Sequence, residues 1–519
     1  MKFPKITQFL PDWKNAGLAL LSAILLVLAF PDFEFWFLAW FALVPLLLAI
    51  ERLKETPVKS FAVGWLFGTA FFFGTCWWLT FAPITYAGFP PLLAYFLMLC
   101  VSAAAGIFPG IFSALLSLFL KRYGNLAILS APLIWIFTEF LRYWLTGNNW
   151  NAIGYSQAFG RGSVVELAGI GGIYLSGFCV VFIGTCLYFV AEGKGKRSER
   201  YVAGLASIVV LSALFLFDYE SGYIPELPIG GASVIAVQPN VPMAGLTYEK
   251  WKLLRQKHIE LAESALSKPT TGSRNATTVI FPESPMNFAY EEDEEFRRFV
   301  HAFAAKHDVN VLFNSAEPDA ANNKYFNSAV LVGPQGTELA QYDKIYLVPF
   351  GESVPAPLQS TVPAFVGSFS YGSEYDLVPL GDAKTGIMIC FESHFGQLSR
   401  EYVRNGADVL IEMTNDGYLG PTPVLRQHLA NAVFRAVETN RPVLRVTNVG
   451  ITAYINERGQ VIDPAASYTE DTRIWTVSKS DGKQTFYVRY GDWFAWLCSV
   501  ITIGFLIFGF TTKRTLPAD

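Results

Sequence analysis

Three short segments carry residue types that together could run covalent catalysis. Cys390 directly follows the apolar, strand-like Gly386-Ile387-Met388-Ile389, and Phe391-Glu392-Ser393 then turns towards a helix. A thiol at such a strand end meets backbone N–H groups that favour its thiolate. Cys76, Cys100, Cys179, Cys186 and Cys498 lie in apolar stretches and read as small buried hydrophobes. Cys390 is the only cysteine between residues 219 and 492, so it has no disulfide partner there. It is either a nucleophile or a core cysteine. A nucleophile needs a base and a group to hold an oxyanion. Val279-Ile280-Phe281-Pro282 ends in Glu283, a carboxylate that is either solvated or functional. Lys344 stands between Tyr342-Asp343 and the apolar Ile345–Phe350, either a snorkelling surface residue or a functional cation. His394, four residues after Cys390, would share its face of a helix and offers a Cys–His alternative. That alternative leaves Glu283 and Lys344 without a task.

The elements that must position these residues alternate strand and helix. Strand signals fall at Ser233–Gln238, Thr277–Phe281, Val309–Phe313, Thr385–Ile389, Asp408–Met413 and Pro442–Val446. Helical spacing or composition marks Tyr248–Leu266, Glu291–His307, Gln397–Asn405 and Leu429–Thr439. Hairpin signals sit at Gly333–Gly336 and Asn456–Gly459. The pattern predicts a layered α/β domain with mixed strands and room for two sheets. Gly351–Asp382 is a long Pro-, Gly-, Ser- and Phe-rich loop without periodicity, a candidate lid with Pro355, Pro357, Phe365, Phe369 and Tyr371 as apolar cover, or a plain surface connection.

Charge divides the chain. Of its 519 residues, 16% are charged, and residues 1–218 hold only 24 of the 82 charged side chains. Seven apolar stretches are long enough, or nearly so, to span a bilayer, at about 16–31, 34–50, 60–80, 92–119, 125–145, 164–191 and 201–217, with an eighth at 493–511. The expected domains are therefore 1–218 (seven transmembrane helices), 219–492 (an outward catalytic domain) and 493–519 (an eighth transmembrane helix and a tail). Alternate connections carry 14 basic residues, among them Lys2, Lys54, Lys121, Arg197 and Lys513, against Arg142 and Arg161 on the opposite side. The positive-inside rule places both termini in the cytoplasm. The net charge of −4 gives no reason to expect nucleic acid. Five scattered histidines form no metal-binding motif, and no cofactor is implied. Glu139 lies in an apolar span, where pairing with Arg142 at i, i+3 explains it most cheaply.

Strand-Pro-Glu, Tyr-Asp-Lys and Cys-Phe-Glu, in that order, resemble the carbon–nitrogen hydrolase (nitrilase) superfamily, as do Thr414–Gly417 and Asn440-Arg441-Pro442. Across nearly its full length the chain resembles the apolipoprotein N-acyltransferases. The supporting residues are Trp144–Gln157, Val237–Asn240, Lys344–Glu352, His428–Arg445 and Thr447-Asn448. It departs from the family's usual pattern at Phe391 (often Tyr), at Gly417–Gly420 and at Gly147–Asn149 before Trp150.

The resemblance implies a four-layer α-β-β-α sandwich inserted into a polytopic α-helical membrane domain of eight spans. It implies a Glu283–Lys344–Cys390 triad: Glu283 as base, Lys344 on the oxyanion, Glu352 assisting Lys344, and Glu392 and Phe391 in support. Trp150, Tyr155, Asn415 and Arg435 are the expected substrate-binding residues. The donor would be a glycerophospholipid of the membrane. The acceptor would be the α-amino group of a diacylglyceryl-cysteine at an apolipoprotein N-terminus, and a Cys390 thioester would lie between them. The setting would be the inner membrane, with the catalytic domain in the periplasm. A tethered amidase that hydrolyses a small C–N bond would use the same trio with water. A transporter or receptor would need none of it.

Overall fold

The computed structural model describes residues 11–160, 164–192, 231–268, 273–284, 289–349, 351–354 and 369–511. The stretch expected as a seventh span, 201–217, lies outside them, as do Pro355, Pro357 and Phe365 of the candidate lid. The chain divides into two compact units. One comprises Met1–Tyr223 with Asp492–Asp519, the other Ile224–Gly491.

The first unit is helical: α1 (Trp13–Ala29), α2 (Val44–Arg52), α3 (Pro57–Cys76), α4 (Pro91–Tyr123), α5 (Ala131–Thr146) and α6 (Ala168–Glu192). Among the described residues, four helical stretches, Pro57–Thr85, Pro91–Tyr123, Asn125–Thr146 and Ala168–Val190, are long and apolar enough to cross a membrane. Trp13–Ala29 and Trp493–Gly509 are apolar but shorter. The expected span 34–50 is not one helix. It breaks into Trp36–Leu38, Ala39–Ala42 and α2, because Pro45 lacks the N–H that would carry the ladder across Leu43. Helices α3 and α4 approach closely through Gly64 and Gly68 on one and Gly106 and Gly110 on the other. A β-carbon on Gly64 would strike Ser113 and the Pro109 carbonyl. Small residues four apart serve this purpose where no water drives helices together. Leu92, Phe96 and Val101 on α4 stay exposed, as an apolar face against lipid would be.

The second unit holds two mixed sheets. The first runs β13-β1-β2-β3-β4-β5, with a short β6 beside β4. Its strands are β1 (Ala232–Gln238), β2 (Ser273–Ile280), β3 (Asn310–Asp319), β4 (Lys324–Val332), β5 (Glu338–Asp343), β6 (Phe369–Ser370) and β13 (Asp471–Val477). The second runs β12-β11-β10-β9-β8-β7, made of β7 (Leu377–Leu380), β8 (Ala383–Ile389), β9 (Val409–Thr414), β10 (Val443–Thr447), β11 (Ala453–Ile455) and β12 (Val461–Ile462). Strands β1, β2 and β3 are mutually parallel, as are β8, β9 and β10. Helices α7 (Tyr248–Leu266) and α8 (Glu294–His307) pack on the first sheet, where Ile235, Val279, Phe296, Phe303, Val311 and Phe313 form a buried cluster. Helices α9 (Gly396–Arg404) and α10 (Val424–Thr439) pack on the second. The two sheets meet at Gln238, whose amide oxygen accepts from Thr447 Oγ1 and from Thr452 N, each at 3.2 Å.

The expected strands and helices of this unit are found within a few residues. Four elements carry weak sequence signals. Strand β7 contains Pro379, tolerable because it is an edge strand. Strand β13 is charged at Asp471 and Arg473 and half-exposed over its first four residues. Strand β6 and the helix Phe486–Tyr490 are too short for periodicity to mark.

Candidate active site

The parallel strands deliver the site. Glu283 lies three residues beyond β2, Cys390 directly after β8 and Asn415 directly after β9, while Lys344 follows the antiparallel β5. Cys390 opens a short 3-10 turn, Cys390–His394, and sits at φ +53°, a left-handed conformation that strains a residue with a β-carbon.

Two carboxylates share one lysine. Lys344 Nζ lies 2.9 Å from Glu352 and 3.8 Å from Glu283 Oε1. The Lys344 side chain has no exposure, and those of Glu283 and Glu352 have 14% each. A single amide bridges both acids, Asn327 Nδ2 donating to Glu352 Oε1 at 2.6 Å and to Glu283 Oε1 at 3.1 Å. Asn327 is itself oriented by Asn314, whose Nδ2 donates to Asn327 Oδ1 at 2.7 Å. The backbone N–H of Asn415 donates to Glu283 Oε2 at 3.2 Å.

These environments push the two acids apart. Burial raises Glu283, against Lys344, which opposes it, and with Glu352, which adds to it. Burial also acts to raise Glu352, but the Lys344 charge and hydrogen bonds from Lys344, Val348 N–H and Asn327 override it and hold Glu352 low. Lys344 is held above its usual value: burial would lower it, and Glu352 and Glu283 more than compensate. Glu352 is thus held as the ionised partner of Lys344, while the Glu283 carboxyl is shifted the other way, towards its protonated form. Burial raises the Cys390 thiol well above its ordinary value. The Glu283 carboxylate adds to this, and Lys344 works against it. The thiol is therefore neutral at rest, and Glu283 lies within hydrogen-bonding reach of it. Phe281, Phe296, Phe303 and Val311 line a cavity that Glu283 borders, which is why its carboxylate is poorly solvated.

Glu392 is fully buried and ties two segments together. Its Oε1 accepts from Ile345 N at 2.7 Å, Tyr346 N at 3.0 Å and Tyr342 Oη at 2.8 Å, and its Oε2 from Ile389 N at 2.8 Å. It binds the Lys344 segment to the Cys390 segment and does not face the reacting atoms. Burial pushes its carboxyl up to about 7. A folded-state value above the unfolded one, about 4.3, means that the folded protein holds the extra proton between these values. Glu392 therefore costs stability as pH rises from about 4.3 to 7. The melting temperature of Glu392→Gln, measured against wild type, is expected to shift in the variant's favour between pH 5 and 8. A pH-independent difference would show that Glu392 is ionised throughout.

The other expected residues distribute as follows. Phe391 packs against His394 (ring centroids 5.6 Å apart) and Phe395 (5.1 Å). Asn415 acts through its backbone. Its buried side-chain oxygen accepts from Gly417 N and Asn448 Nδ2. Arg435 is held within the catalytic unit. It is buried, donates to the carbonyls of Ser393 and His394 at 3.3 and 2.9 Å, and pairs with Glu438 at 2.7 Å. Trp150 and Tyr155 belong to the first unit. Trp150 packs on Trp78 at 5.7 Å, its carbonyl accepts from Arg142 Nη1 at 2.9 Å, and Tyr155 is buried. Glu139 Oε1 accepts from Ile153 N at 2.8 Å, so Glu139 and Arg142 clamp one loop from two points. Sequence reasoning missed Asn327 and Asn314. Each is one of several polar residues in its strand, and nothing in the strand pattern singles it out.

The chain matches two family models: the apolipoprotein N-acyltransferase N-terminal domain over residues 22–186, and carbon-nitrogen hydrolase over residues 233–487. It is 32% identical over 491 residues to the apolipoprotein N-acyltransferase of Geobacter metallireducens, covering 93% of this chain and 92% of that protein. It is 28% identical over 517 residues to that of Pasteurella multocida, covering 96% of each. It is 28% identical over 502 residues to that of Thermotoga maritima, covering 94% of this chain and 92% of that protein.

Proposed function

The chain belongs to the apolipoprotein N-acyltransferase family, and from that premise we propose that it moves an acyl chain from a membrane glycerophospholipid to a lipoprotein N-terminus through a thioester on Cys390. The observation that carries this is the convergence of a neutral, buried thiol, an acid raised by burial and a lysine with its own counter-ion. Glu283 takes the Cys390 proton as Sγ attacks the ester carbonyl carbon. Lys344 stabilises the oxyanion. The C–O bond breaks, and Glu283 returns its proton to the departing lysophospholipid oxygen. In the second half the α-amino group of a diacylglyceryl-cysteine attacks the thioester, and Glu283 takes its proton. The C–S bond then breaks, leaving an amide and a reprotonated thiol. Water in place of the amine would make the enzyme a phospholipase, so its exclusion decides the product.

The same reading places the catalytic unit outside the inner membrane, with both termini in the cytoplasm. It has eight crossings, and an α-β-β-α sandwich as the soluble fold. The basic residues of alternate connections support the orientation. Helices α7 and α8 on one sheet and α9 and α10 on the other support the layering.

Sealed right-side-out vesicles carrying the protein and phospholipid with a labelled acyl chain test both points. A diacylglyceryl-cysteine peptide added outside is expected to gain one acyl chain as an N-terminal amide, and a peptide trapped inside to gain none. Release of free labelled fatty acid with no acylated peptide would establish a hydrolase. Acylation only of trapped peptide would reverse the orientation.

A further inference from the structure

Beneath Cys390 lies a buried cluster of four charged side chains that the reaction above does not use. Glu412 is on β9, Asp416 follows it, His428 is on α10 and Arg445 is on β10, each 4% exposed or less. Arg445 pairs with Glu412 at 2.5 Å and with Asp416 Oδ2 at 2.8 Å. His428 Nδ1 lies 2.6 Å from Asp416 Oδ1, and its Nε2 lies 3.0 Å from both Glu412 Oε1 and the backbone carbonyl oxygen of Cys390.

Hydrogen-bond arithmetic sets the charge of the ring. A carbonyl can only accept. The two carboxylates, each paired with Arg445, are ionised and can only accept. Burial would raise both, but His428 and Arg445 hold them below their usual range. Both ring nitrogens therefore carry protons. Burial and Arg445 oppose this charge, and Asp416 and Glu412 outweigh them, raising His428 to about 9. The cluster is two positive and two negative charges, neutral as a whole, which is the condition for keeping it buried.

The cluster's one contact with the backbone of the nucleophile is the Cys390 carbonyl. Cys390 is in a left-handed conformation, disfavoured for a residue with a β-carbon, and its carbonyl also accepts from Ser393 Oγ at 3.4 Å. On its N-terminal side the turn is held by Glu392 at the Ile389 N–H, and on its C-terminal side by His428. We propose that His428, as a permanent imidazolium, is a positioning residue: it anchors the Cys390 carbonyl and so keeps Sγ directed at Glu283 and Lys344. This rests on Cys390 being the nucleophile.

The test is a double variant, His428→Gln with Asp416→Asn, which removes one charge of each sign and leaves the buried cluster neutral. Thioester formation from phospholipid is expected to slow about 30-fold or more at unchanged KM, the signature of a misaimed nucleophile in a folded protein. A folded variant that forms the thioester at the wild-type rate would overturn the proposal, as would a loss confined to KM. Nitrogen NMR of wild-type protein labelled at its five histidines needs neither a variant nor acyl chemistry. At pH 8, where an ordinary imidazole is neutral, one doubly protonated ring is expected. None would overturn the proposal, and this result is separable from any failure of the nucleophile assignment. If the double variant does not fold, the nitrogen spectrum alone decides.

Discussion

Wild-type protein mixed with phospholipid in detergent gains the mass of one acyl chain, loses it to hydroxylamine, and shows neither change as Cys390→Ala. This is the expected result of intact-mass measurement, with a fall in acyl transfer of at least about 10⁴-fold in the variant. The physical reason is that the site offers one nucleophile. Lys344 is held protonated by Glu352 and Glu283 and has no free lone pair. Cys390 is the only cysteine between residues 219 and 492, placed at the end of β8 on a left-handed residue. The five remaining cysteines lie in helices of the first unit, or flank them, outside the catalytic unit. An adduct that persists in Cys390→Ala, or equal lysophospholipid release by both proteins, would end the thioester reading. Cys390→Ala is the cleaner choice because the thiol is already neutral and buried, so its removal leaves no uncompensated charge.

The second large effect is expected from Glu283→Gln, a fall in thioester formation of about 10²–10⁴-fold, the range that a positioned general base contributes. The substitution keeps the shape and removes the proton acceptor. It also sets an NH₂ against a donor. Both Glu283 oxygens accept, from Asn327 Nδ2 and from Asn415 N, and a glutamine can satisfy only one of them. The pH profile separates the base from mere packing. Burial raises Glu283, and Lys344 only partly offsets this. The wild-type rate should therefore rise with pH through a limb above the ordinary glutamate value of about 4.3, because the base works only when deprotonated. That limb should be absent from Glu283→Gln. A variant that keeps the limb and loses only rate would assign the base to another group. His394 is the named alternative, but its ring is stacked on Phe391 and its carbonyl is taken by Arg435.

Much of this site was legible before any coordinates. Cys390 and Glu283 each announce themselves as a polar residue at the end of an apolar run and Lys344 as one at the start of such a run, and strand ends are where a layered α/β domain can expose a side chain without breaking its sheet. Asn327 and Asn314 were not legible in this way. An amide inside a strand reads the same whether it is a packing compromise or a clamp on two carboxylates. The contacts of Arg435 and Asn415 were not legible for a related reason: a sequence shows that a polar residue is present but not which backbone and side-chain groups of the fold it meets. The expected span 34–50 is apolar but not one continuous helix, because composition measures apolarity and not continuity, and Pro45 interrupts the helix without lowering the apolarity.

What the sequence determined by itself was therefore the one-dimensional content. It held an apolar, charge-poor N-terminal part, an α/β catalytic unit, the order Glu, Lys, Cys and the family likeness that order carries. Tertiary structure alone decided how charge is shared. Asn327 joins Glu283 to Glu352 across 44 and 25 residues of chain, and His428 reaches the Cys390 carbonyl across 38. Which carboxylate is raised and which is held low follows from burial and from distance to one ammonium. Those quantities exist only once β2, β5 and β8 have brought their ends together.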